Sequence, residues 1–141
     1  MIAVDTNVLV YAHREEMEQH QAGRRTLAAL AEGDEPWAVP VFVVSEFLRV
    51  VTHPRILRSP TPAPEAVAAL DGLFESPTLR LLHPGERFWP LLRATIEEGH
   101  ARGDLILDAG IVALCREHGV TTILSADRDF RRFPSISLRT L

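Results

Sequence analysis

Met1-Ile2-Ala3-Val4-Asp5-Thr6-Asn7-Val8-Leu9-Val10 opens the chain. Ile2-Ala3-Val4 is too short an apolar run for a helix, and three polar residues end it. It reads as a buried strand leading into a helix cap, with a short helix over about Val8–Ala12. The same pattern recurs downstream. Trp37-Ala38-Val39 precedes Pro40, a residue suited to a first helical turn, and a helix over Val41–Thr52 that His53-Pro54 ends. Leu79–Leu82 precedes a helix over Glu86–His100. A helix over His20–Ala31 stops at Gly33, and another spans Glu65–Phe74. Gly103–Leu107 reads as a turn into a helix over Asp108–His118, closed by Gly119. Thr121–Leu124 is a fourth strand, and Ile136–Leu138 a possible fifth. Residues 54–64 hold four prolines and read as a surface loop.

Short apolar strands alternating with helices predict an α/β protein, a three-layer α/β/α sandwich over a central, mostly parallel sheet of four to five strands. The length of 141 residues suits a single domain, 1–141. One cysteine, Cys115, permits no internal disulfide, which fits a reducing cytoplasmic compartment. The N-terminus lacks the basic start of a signal peptide, and no apolar stretch is long enough to cross a membrane. The net charge of −4 argues against a protein that coats duplex nucleic acid, yet allows a nuclease whose metal ions supply positive charge. All 15 basic residues are arginine. The absence of lysine removes response-regulator, dehalogenase-type phosphatase and Walker-type nucleotide-binding chemistry, each of which needs one.

In open α/β sheets the active crevice lies beyond the carboxyl ends of the strands. Asp5 directly follows the first strand, and Asp127 lies three residues beyond Leu124. Asp108 begins the last long helix. Glu46 sits within the otherwise apolar run Val41–Leu48. Each has an ordinary reading on its own, as a helix cap, a first-turn acid, a solvated helix residue or a turn residue. Together, four carboxylates converging on one crevice would raise one another's pKa and call for a divalent cation. Oxygen donors without histidine or cysteine suit the hard ions Mg²⁺ or Mn²⁺. The six histidines (13, 20, 53, 83, 100, 118) have no metal-site spacing and read mostly as surface residues.

Four segments carry a resemblance in order along nearly the whole chain. They are Val4-Asp5-Thr6-Asn7-Val8-Leu9, Ser45-Glu46-Phe47, Leu107-Asp108-Ala109-Gly110-Ile111-Val112-Ala113 and Leu124-Ser125-Ala126-Asp127-Arg128-Asp129-Phe130. They resemble the PIN domain, especially VapC toxins of bacterial toxin–antitoxin pairs. The resemblance implies a metal-dependent endoribonuclease with Asp5, Glu46, Asp108 and Asp127 as an acidic quartet holding one or two Mg²⁺ or Mn²⁺ ions. Asp5 and Asp108 would be the core ligands. Thr6, Asn7 and Ser125 would steady the carboxylates. Asp104 and Asp129 are extra acids beside the quartet, with no ligand role assigned. The resemblance also implies an RNA substrate, a VapB antitoxin and a homodimer. Phe47, Leu48, Val50 and Val51 are candidates for the dimer face, although core packing accounts for them equally.

Arg49, Arg128 and Arg131, with Arg55, Arg58 and Arg132, are candidates to hold the RNA backbone. Phe42, Phe88 and Trp89 are expected in the core. Two alternatives stay open: a PIN nuclease in RNA maturation without an antitoxin, and a PIN fold kept as a binding module.

Overall fold

The computed structural model describes all residues, Met1–Leu141. Five strands, β1 (Ile2–Val4), β2 (Trp37–Pro40), β3 (Leu79–Leu82), β4 (Thr122–Leu124) and β5 (Ser137–Arg139), form one sheet in the order β3-β2-β1-β4-β5. Every neighbouring pair is parallel. Parallel strands need crossovers, and six helices supply them on both faces: α1 (Thr6–His13), α2 (His20–Glu32), α3 (Val41–Val51), α4 (Ala63–Phe74), α5 (Phe88–Gly99) and α6 (Leu105–Glu117). The expected α/β/α sandwich is the fold found. β1 is central and almost wholly apolar, because both its faces are covered.

The core joins Val4, Trp37, Val39, Val43, Ile111, Leu114, Ile123 and Phe130, all fully or almost fully buried. α6 supplies an unbroken buried run from Ala109 to Cys115. A helix covered on nearly every side carries no polar stripe, and its sequence is accordingly apolar all round. No helix is long and apolar enough to cross a membrane.

Several expected boundaries move. α6 begins at Leu105, so Gly103–Leu107 is not a separate turn and Asp108 lies in the first turn of the helix rather than at its start. The apolar Leu105-Ile106-Leu107 run extends the helix backwards once Gly103, at φ 57°, has turned the chain. A 3₁₀ turn over Arg128–Arg132 has no counterpart in the sequence reading. α5 starts at Phe88, two residues later than expected. Phe47 and Val51 are buried in the core, which removes them from the dimer face considered above. Trp89 is 62% exposed, so it is not the core residue expected.

The proline-rich segment is tied down at its carboxyl end. Arg14, whose side chain is 12% exposed, donates from Nη2 to Ser59 O (2.6 Å) and from Nη1 to Thr61 Oγ1 (3.0 Å). His13 Nε2 lies 3.0 Å from the same hydroxyl.

Candidate active site

The register of β1 and β4 builds the centre of the site. Val4 lies opposite Leu124, so the next residue of each strand, Asp5 and Ser125, emerge side by side at the carboxyl edge of the sheet. The backbone carries the pairing one step further, with Asp5 N–H donating to Leu124 O at 3.0 Å. Ser125 Oγ then donates to Asp5 Oδ2 at 2.6 Å.

Asn7, in the first turn of α1, completes a closed network. Its Nδ2 donates to Asp5 Oδ2 (2.8 Å) and to Ser125 Oγ (2.9 Å), while its Oδ1 accepts from Ala126 N (3.0 Å). Ser125 Oγ also accepts from Asp127 N (2.9 Å), and Asp127 Oδ1 accepts from Asp129 N (2.8 Å). The fully buried Ser125 hydroxyl therefore gives its one proton and receives two, as a satisfied buried hydroxyl should. Both side-chain bonds to Asp5 land on Oδ2 and none on Oδ1. Thr6 Oγ1 donates to Glu46 Oε2 at 2.8 Å, which ties α3 to α1 across the site.

Asp5, Thr6, Asn7, Glu46, Asp108 and Asp127 line one cavity of about 240 Å³, with Val10, Tyr11 and Val50 completing its wall. All four acids of the expected quartet are thus on the same surface. Of the expected supporting residues, Thr6, Asn7 and Ser125 are in contact with the carboxylates. Asp104 is exposed and does not line the cavity. Asp129 is exposed outside it, 3.8 Å from Arg132, although its charge reaches Asp108. Arg49 Nη2 lies 3.8 Å from Glu46 Oε1. Arg128 and Arg131 are exposed on the 3₁₀ turn, and no carboxylate lies within ion-pair distance of either.

The electrostatics fit a cation. Asp5 is only 5% exposed. Burial pushes its carboxyl up to about 6 against the lowering hydrogen bonds from Ser125 and the Thr6 backbone, and the charges of Glu46 and Asp127 add to the rise. Asp108 is pushed up to about 7, first by burial and then by Asp5, Asp127, Glu46 and Asp129. No cation of the chain pairs with Asp5 or Asp108. A positive charge among these groups would relieve both effects. The donor set is all oxygen, which is the chemistry of Mg²⁺ and Mn²⁺. The side chains stand apart as arranged, and no three His, Cys, Asp or Glu groups are close enough together to hold one ion between them. An open arrangement suits an ion that keeps several waters and also holds a phosphate.

Tyr11, the single tyrosine, was missed as a site residue. It follows Asn7 by four positions, one helical turn along α1, and that spacing was legible. Val50 follows Glu46 by the same interval on α3. Of the histidines, read as mostly on the surface, His20 is buried, with Nδ1 2.8 Å from Tyr11 O. Cys115 is buried, its thiol pushed up to about 12 by burial and then by the Asp5 charge, so it offers no thiolate.

The PIN domain family model matches residues 2–136. VapC ribonuclease Mb2897 of Mycobacterium bovis is 42% identical over 139 residues, covering 99% of this chain and 94% of that protein. Ribonuclease VapC31 of Mycobacterium tuberculosis is 38% identical over 136 residues, covering 96% and 95%. Among solved structures, VapBC2 from Rickettsia felis, bound to a DNA fragment from its promoter, aligns with a TM-score of 0.71 at 20% identity over 100% of this chain and 99% of that one. VapC20 of Mycobacterium tuberculosis, a toxin that cleaves the sarcin–ricin loop, aligns with a TM-score of 0.70 at 18% identity over 96% and 98%. The family model spans nearly the whole chain and the VapC ribonucleases match it over almost their full length, and the chain belongs to the PIN domain family, among its VapC members.

Proposed function

We propose that this chain is a VapC-type toxin, a metal-dependent endoribonuclease that hydrolyses RNA phosphodiester bonds in the cytoplasm. The observation that carries the reading is the single cavity lined by Asp5, Glu46, Asp108 and Asp127. Ribonuclease is also the activity in the names of relatives that match almost the whole chain. Asp5 and Asp108 are the residues to hold Mg²⁺ or Mn²⁺, with Glu46 and Asp127 as direct or water-mediated partners. A divalent ion in such a site polarises the phosphate and lowers the pKa of water.

The chain's own groups do the positioning. Ser125 and Asn7 fix one oxygen of Asp5, and Thr6 fixes one oxygen of Glu46. Fixed acceptors need no reorganisation when charge develops, which is the main electrostatic advantage of a built site. Arg49, Arg128 and Arg131 are available to the RNA backbone.

A VapB-type antitoxin is the proposed partner that restrains the nuclease, and a VapBC complex is among the structures of like fold. A homodimer is proposed as the working unit.

The test is cleavage of single-stranded RNA by the purified chain in Mg²⁺ and Mn²⁺. Expected products carry 5′-phosphate and 3′-hydroxyl ends. Asp5→Asn and Asp108→Asn should each lower kcat/KM by about a hundredfold or more, the scale of losing a transition-state charge contact. Wild-type rates in either variant would refute the site. A chain that neither cuts RNA nor binds Mn²⁺ by calorimetry would instead be a PIN fold kept for binding.

A further inference from the structure

A second cavity, of about 210 Å³, adjoins the carboxylate cavity and shares Glu46 with it. Its walls are Phe42, Ser45, Glu46 and Arg49 from α3 and Leu107 and Ile111 from α6. The four α3 residues recur at intervals of three, one and three, so they lie on one face of that helix. Leu107 and Ile111 are one turn apart on the facing helix. The Phe42 ring packs over Gly110, at a distance where even an added Cβ would make ordinary van der Waals contact, 3.6 Å from Phe42 Cε2. Phe42 is further braced by Phe88, with ring centroids 5.7 Å apart.

This cleft combines three features beside the carboxylate cavity. Its floor is apolar, with Ile111 only 1% exposed. Its rim holds Leu107, 56% exposed in the first turn of α6, where Ile106 is exposed as well. Its mouth carries Arg49, whose only carboxylate neighbour is Glu46 at 3.8 Å, across a weak and exposed contact. A flat ring with a polar edge, attached to an anionic backbone, is complementary to that combination. Unpaired RNA bases are held by stacking on aromatic and apolar side chains or on arginine planes.

We propose that the Phe42–Leu107–Ile111 cleft, mouthed by Arg49, is the subsite for an unpaired nucleobase next to the phosphate held in the carboxylate cavity. The inference rests on the nuclease reading above. The shared Glu46 wall supports it, because a base one nucleotide from the reacting phosphate lies beside that phosphate and not across the molecule. Leu107 and Phe42 are then specificity-determining residues, and Arg49 steadies the backbone at the entrance.

The test uses Leu107→Ser, which alters an exposed side chain, and Arg49→Ala as a second variant. Binding is measured first, by fluorescence anisotropy of a labelled mixed-sequence single-stranded oligoribonucleotide in Ca²⁺. Leu107→Ser should weaken binding about tenfold, the effect of losing one stacked base. Cleavage in Mn²⁺ is then measured on an RNA the wild type cuts, intact and with an abasic residue at each position flanking the cut. One abasic position should lower wild-type kcat/KM about tenfold and have little further effect in Leu107→Ser, since both changes remove the same contact.

Abasic and Leu107→Ser effects that multiply independently overturn the proposal. So does a Leu107→Ser chain that binds RNA unchanged while a dimer dissociates, which would assign the cleft to a second copy. If the wild type cuts no RNA, the nuclease reading fails, and the anisotropy result still decides whether the cleft holds a base.

Discussion

At the residue scale, the site is a balance between burial and charge. Asp5 and Asp108 hold their protons more tightly folded than unfolded, with carboxyls pushed up from 3.8 to about 6 and about 7. The folded protein therefore binds more protons than the unfolded chain between these limits, and stability present at low pH is lost as pH rises through 6 and 7. In EDTA, the contribution of these two groups should lower Tm as pH is raised from 4 to 8. Asp108→Asn, which deletes one of the repelling charges, should flatten that slope and exceed the wild type in Tm at pH 8. Mn²⁺ should raise the wild-type Tm, and more at pH 8 than at pH 5, because only ionised carboxylates bind it. Scanning calorimetry reads all three. A Mn²⁺ increment independent of pH would contradict the site's electrostatics. Asp5 was legible in sequence from its place after a strand, and Asp108 from its place at the beginning of a helix. The hydrogen bonds that orient them were not, because Ser125 and Asp5 are 120 residues apart and meet only through strand register.

At the element scale, the site depends on how helices end and cross. α5 closes at Gly99, and His100 takes a left-handed conformation at φ 48°. Gly99 is there for space, since an added Cβ would collide with the ring of the buried Phe133, just after the 3₁₀ turn. Gly99→Ala should cost about 1–3 kcal/mol, the usual range for overpacking, read as a lower urea midpoint at unchanged m. An unaltered midpoint would mean that Phe133 yields freely. Element type was readable because short, mostly apolar strands of three or four residues and helices of eight or more have different periods. The start of α6 was misread because Gly103 invited a turn, whereas the leucines and isoleucine after it continue as helix although Ile106 and Leu107 are exposed. The 3₁₀ turn was missed because Asp127 caps it through its own side chain, a local bond that leaves no periodicity to read.

At the scale of the whole molecule, the chain carries a net charge of −4 and gathers several of its acids at one sheet edge. Polyanionic RNA must overcome that field, which makes cation binding a condition of substrate binding as well as of chemistry. Away from the site, Trp89 is the most exposed large apolar side chain, and it follows Phe88 at the start of α5. We expect it in the face of the proposed homodimer, since tryptophan is enriched in interface cores. Sedimentation velocity at micromolar concentration should show a species of twice 15.7 kDa, with Trp89→Ser shifting it to the monomer. A wild-type chain sedimenting only at 15.7 kDa would remove the dimer.

The order of strands and helices and the parallel sheet belong to the sequence alone, because apolar periodicity is a local property of the chain. The four acids were marked by their places in four ordered motifs, two of them just beyond strands and two within helices. The shared wall of the two cavities, the single-oxygen fixation of Asp5 and the exposure of Trp89 and Leu107 belong to the tertiary structure. They depend on register between β1 and β4 and on the packing of α3 against α6, contacts between distant residues whose energies no local pattern encodes.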